Sequence, residues 1–205
     1  MSLMNKPSMQ KVDALQELGN IGAENAVSGI SKLLNRKIDI SVTYVDLIKI
    51  QEIQDLFEGP ESMVSVTCVE GVSEKVMGNM FLIFSQPEAN KLIELITGKS
   101  IKSDRIADDY DLSVLKEVGN IMCACYFNAL SRMMNKKIIH SVPVITQEKL
   151  GSMISKILEE NEENSEYAVL LETEFELKNG GTKGTMFYIS TPSFLAEIFS
   201  EFGVE

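Results

Sequence analysis

One phrase occurs twice in this chain, a hundred positions apart. Leu15-Gln16-Glu17-Leu18-Gly19-Asn20-Ile21 returns as Leu115-Lys116-Glu117-Val118-Gly119-Asn120-Ile121. An echo at a fixed interval marks an internally repeated architecture, which narrows the folds open to the chain more than composition does. Between 12–45 and 112–145 about a third of the positions match without a gap, among them Ser31/Ser131, Asn35/Asn135 and Lys37/Lys137. Farther on, Gly78-Asn79-Met80-Phe81 resembles Gly184-Thr185-Met186-Phe187.

Hydrophobic periodicity gives each half the same order of elements. Helical spacing runs from about Met9 to Leu34 and again from Tyr110 to Met134; each stretch ends on an asparagine followed by two cations. Alternating strands follow at Ile38–Val45 and Ile138–Ile145. A short helical stretch, two strands and a short helix complete each half, with Pro87 and Pro192 opening the short helices. Asn179-Gly180-Gly181 reads as a hairpin turn and Gly98–Asp109 as the joint between halves. Neighbouring hairpin-like strands favour antiparallel pairing. The expected fold is therefore α+β: one duplicated domain with pseudo-two-fold symmetry, repeats at about 9–98 and 109–203, and an antiparallel central sheet. The two long motif-bearing helices should lie on its surface.

What the repeat keeps is polar. At about 100° per residue, Asp13, Glu17, Asn20 and Glu24 share one face of the first helix. The apolar stripe Leu15, Leu18, Gly22, Ala26, Gly29 and Leu33 lies roughly opposite. In the second helix Ser113, Glu117 and Asn120 share a face, against Leu115, Val118, Met122, Tyr126, Ala129 and Met133. Plain solvated positions are the alternative reading for such residues. Asparagine is nonetheless a poor helix-interior residue, and solvation does not explain it twice. Gly19 and Gly119 each cost about 1 kcal/mol against alanine, which close approach of another backbone or helix would offset.

A Glu–Asn pair holds no strong nucleophile, and one carboxylate with one amide cannot bind a divalent ion. The amide donates and accepts together, so it can orient an attacking water, as the positioning glutamine of GTPases does. The carboxylate can pair with a partner's lysine. Such a pair is half an active site, and the phosphoryl group and its metal must come from elsewhere.

The chain has 30 acidic and 19 basic residues, a formal net charge of −11. That charge speaks against nucleic acid or an anionic membrane as partner and fits a protein with a basic rim. No apolar run approaches the roughly 18 residues of a membrane span, and the N-terminus lacks a secretory pattern, so a cytoplasmic protein is expected. Met1-Ser2-Leu3 ahead of Met4 reads as an added leader before a natural start. Cys68, Cys123 and Cys125 are an odd number without framework spacing and read as reduced thiols in a packing seam. His140 lies in a β-branched run and reads as a strand residue. With a single histidine and no Cys-x-x-Cys pair, no built-in metal site is expected.

The repeated motif resembles the signature of the CheC/CheX/FliY family of chemotaxis proteins, which dephosphorylate the response regulator CheY. That signature is Asp or Ser, three residues, Glu, two residues, Asn, then twenty-two residues and Pro. The second copy matches throughout at Ser113, Glu117, Asn120 and Pro143. The first matches at Asp13, Glu17 and Asn20 but has Thr43 in place of proline, a departure that touches local geometry more than chemistry. Two intact motifs are similar to CheC rather than CheX, and a sequence ending at Glu205 is expected to leave no room for the switch domain of FliY-like members.

The resemblance implies a CheY-phosphate phosphatase with two sites. Asn20 and Asn120 would orient water, Glu17 and Glu117 would contact a CheY lysine, and Asp13 and Ser113 would support docking. Phosphorylated CheY would supply the Mg²⁺, so the protein needs no cofactor of its own. It also implies binding of the deamidase CheD through the segment Glu148–Glu159, with Leu150, Met153, Ile154 and Ile157 as the apolar side. A surface helix packed on the sheet explains that segment equally well. The alternative function is a non-catalytic adaptor binding CheD or the flagellar switch.

Overall fold

The structure is a computed structural model and describes residues 8–73, 76–101, 107–160, 165–177 and 180–204. Met1-Ser2-Leu3, the centre of the expected joint, residues 161–164 and Asn179 of the expected turn lie outside these. In chain order come α1 (Met9–Leu34), β1 (Asp39–Lys49), a 3-10 helix (Ile50–Leu56), β2 (Met63–Val72), β3 (Val76–Ser85) and α2 (Gln86–Thr97). There follow α3 (Asp109–Met133), β4 (Ile139–His140), β5 (Val144–Lys149), α4 (Leu150–Glu159), β6 (Tyr167–Leu177), β7 (Gly180–Ser190) and α5 (Pro192–Glu201).

The long helices begin and end on readable signals. Ser8 caps α1 by accepting from Lys11 N. Asp108 and Asp111 cap α3 reciprocally, each side chain accepting from the other's backbone N–H. Beyond both helices an asparagine adopts the left-handed conformation, Asn35 at φ 48° and Asn135 at φ 46°. Asparagine tolerates that region better than other residues with a Cβ, which is why the chain turns there twice.

The sheet order is β1-β6-β7-β3-β2, with β4 and β5 both paired to the outer edge of β2; every pairing is antiparallel. The hairpins β2–β3 and β6–β7 meet at the centre, where Phe81 lies opposite Phe187. The outer strands are exchanged between the halves: β1 pairs with β6, and β4 and β5 pair with β2.

The single strand expected over Ile138–Ile145 is divided at Ser141-Val142-Pro143. His140 pairs with Gly71 and Val144 with Cys68, so four steps on one strand oppose three on the other. This is a one-residue bulge. On β1 the register also slips by one, between Val42, which faces Thr173, and Tyr44, which faces Glu172. Thr43 and Pro143 thus occupy corresponding irregularities. A bulge suits proline because its missing N–H breaks no ladder bond there, so the lack of proline at Thr43 leaves the chain path alike.

Strand alternation feeds two cores. On one face Met80, Leu82, Met186 and Tyr188 pack beneath α1, α2, α3 and α5. On the other, Phe81, Ile83, Phe187 and Ile189 meet the 3-10 helix and α4. The apolar stripe of α1 ends differently from expectation: Ile30 and Leu34 are buried, while Leu33 is 42% exposed. A helix of 3.6 residues per turn drifts off a strict three-four pattern over this length.

Candidate active site

Helices α1 and α3 pack on each other as well as on the sheet. A Cβ at Gly22 would fall 2.6 Å from the Tyr126 ring, and one at Gly29 would fall 2.7 Å from Ile121. Contact positions rise along α1 as they fall along α3, so the helices run antiparallel. At 1.5 Å rise per residue the two motifs are therefore about 20 Å apart along the pair.

Each motif presents its polar face outward. Asp13, Glu17, Asn20 and Glu24 are exposed, while Ala14, Leu15, Leu18 and Gly19 between them are buried. On α3 Ser113 and Glu117 are exposed and Asn120 is half-buried, above buried Leu115, Val118 and Gly119. The motif glycines differ from expectation in what they admit. A Cβ on Gly19 would lie 2.9 Å from Leu171 Cδ2, and one on Gly119 would lie 2.5 Å from Thr67 Cβ. They let each helix sink onto sheet side chains, whereas the helix–helix approach uses Gly22 and Gly29.

Polar contacts differ between the motifs. Gln16 Nε2 donates to Asn20 Oδ1 at 3.3 Å and to the Val42 carbonyl at 3.3 Å. Ser113 Oγ donates to the Tyr110 carbonyl at 2.6 Å, inside the first turns of α3. Ile21, 41% exposed, adds an apolar group beside Glu17 and Glu24. Gln16 is the contributor that sequence reasoning passed over. Its one signal was its place a helical turn before Asn20, where side chains can meet.

Other candidate groups are engaged elsewhere. Burial pushes the Cys68 thiol up to about 12, with Glu160 and Glu70 adding to the effect. Burial likewise raises Cys123 and Cys125, so all three are neutral thiols and poor nucleophiles at physiological pH. Among the described residues no three His, Cys, Asp or Glu side chains group to hold a metal ion, and no helix is long and apolar enough to cross a membrane. The expected docking side of α4 requires correction. Leu150, Met153 and Ile154 are buried against Ile50, Ile53 and Val64, and Ile157 packs half-buried at their margin. These side chains are taken up by the second core because the sheet's far face needs a cover.

Comparison with known proteins places this arrangement. The family model described as CheC-like matches residues 12–42 and 111–146, which contain both motifs. The chain is 32% identical over 175 residues to the CheY-P phosphatase CheC of Bacillus subtilis, covering 84% of this chain and 83% of that protein. It is 30% identical over 151 residues to the flagellar motor switch phosphatase FliY of the same organism, covering 69% of this chain but 39% of that longer protein. In fold it is similar to Thermotoga maritima FliY, with a TM-score of 0.71 across 96% of this chain and 98% of that one, at 20% identity. With identity sustained over most of both chains and both motifs inside the matched segments, this chain belongs to the CheC-like family.

Proposed function

We propose that this protein hydrolyses the aspartyl phosphate of the response regulator CheY, using two separate sites on one helical surface. The observation that carries the reading is the pair of outward Glu-x-x-Asn faces, Glu17 with Asn20 and Glu117 with Asn120. The curated names of two relatives at 30% identity or more, both phosphatases, support it. In the proposed reaction CheY brings the phosphoryl group and its Mg²⁺. Glu17 or Glu117 pairs with a lysine of CheY and fixes the docking angle. The carboxamide of Asn20 or Asn120 holds a water in line with the phosphorus. Catalysis then comes from positioning and charge, with no covalent intermediate on this chain. The −11 net charge suits a partner with a basic rim. A partner such as CheD would meet α4 at its outward residues, Ser152, Lys156 and Leu158.

The test is the lifetime of phosphorylated CheY with the wild-type protein, Asn20→Ala, Asn120→Ala and the double variant. Each single variant should keep part of the acceleration, and the double variant should return CheY to its unaided rate. Full acceleration by the double variant would end the proposal. Tight CheY binding with no acceleration by the wild type would favour the adaptor instead.

A further inference from the structure

The two motifs are not equally braced. Gln16 lies one turn before Asn20, and its Nε2 donates to both Asn20 Oδ1 and the Val42 carbonyl. A carboxamide nitrogen carries two hydrogens, so both bonds form at once. The strand end of the bridge is anchored: Val42 sits just before the bulge at Thr43, and its side chain lies against Gly19. Gln16 therefore ties the Asn20 amide to the sheet by its oxygen side and turns Nδ2 toward solvent. At the corresponding place α3 has Lys116, which makes no hydrogen bond to Asn120 among the described residues. The Val142 carbonyl accepts from Ser141 Oγ instead. No hydrogen bond comparable to the Gln16 brace reaches the Asn120 amide among the described residues.

We propose that Gln16 is a positioning residue that pre-orients the Asn20 amide, and that the first site consequently turns over faster than the second. The inference rests on Asn20 being the water-orienting group. An exposed carboxamide rotates about its terminal torsion, and freezing it in the transition state costs entropy. A brace made before the partner arrives removes that cost from the chemical step and leaves docking untouched.

The experiment uses full-length protein with one motif active at a time. In the Asn120→Ala background, Gln16→Met keeps the length of the side chain and removes the donor. It should lower kcat about fivefold, the worth of one neutral hydrogen bond, with KM unchanged. In the Asn20→Ala background the same change should cause no further loss, since no amide remains to be braced. Equal losses in both backgrounds, a change in KM alone, or no change in kcat would each overturn the proposal. Side-chain amide relaxation by NMR reads the brace without turnover. The Asn20 Nδ2 group should be more rigid than that of Asn120, and Gln16→Met should erase the difference. Equal mobility in the wild type would overturn the brace. A rigid Asn20 in a protein that fails to accelerate CheY-phosphate decay would instead remove the phosphatase reading.

Discussion

The depth at which each motif helix sits is decided by one atom, the Cβ that glycine lacks. At Gly119 that atom would strike Thr67 at its own Cβ, 2.5 Å away, and only a shift of β2 could relieve the contact. Gly119→Ala should therefore cost about 1–3 kcal/mol by overpacking, more than the propensity gained by alanine. At Gly19 the neighbour is Leu171 Cδ2, the end of a flexible side chain, at 2.9 Å. Gly19→Ala should be nearly neutral, and denaturant midpoints of the two variants will rank them. The glutamate–asparagine face was legible because helical periodicity alone separates it from the leucine stripe. Gln16 was less legible, since its role depends on a carbonyl brought near by β1, 26 positions along the chain. The α4 residues Leu150, Met153 and Ile154 misled for a related reason: an apolar helix face looks the same whether its own sheet or a partner covers it.

Among the elements, α3 has the better-built start. Asp108 Oδ1 accepts from Asp111 N at 3.0 Å and Asp111 Oδ2 from Asp108 N at 3.1 Å, whereas Ser8 holds α1 through one 3.4 Å bond. Asp108→Ala should cost about 1 kcal/mol in chemical denaturation, and Ser8→Ala clearly less. Both long helices lay close to their expected bounds, because caps, periodicity and the terminal asparagine coincide. The division of β4 from β5 was not legible in the apolar pattern, which continues through Val142 and Val144. Proline at 143 was a usable signal, and its counterpart Thr43 shows that the bulge does not require it.

For the molecule as a whole, the centre of the sheet serves both motifs. Phe187 is fully buried opposite Phe81, where the two hairpins meet. Phe187→Ala should destabilise the fold by about 3–5 kcal/mol. Any loss of CheY-phosphate hydrolysis that accompanies it should be equal in the Asn20→Ala and Asn120→Ala backgrounds. The mixture of helices and strands and the antiparallel sheet could be anticipated from sequence. The exchange of outer strands could not, because pairing between β1 and β6 joins segments more than a hundred positions apart and leaves no local trace.

That exchange ties each motif to the opposite half of the chain. Gly19 rests on Leu171 of β6, and Gly119 rests on Thr67 of β2. Part of the floor beneath each polar face thus comes from the other half, with Val42 of β1 adding to it beneath Gly19. Substitutions that tune a motif from below can therefore lie far from it in sequence, at Leu171 for the first and at Thr67 for the second.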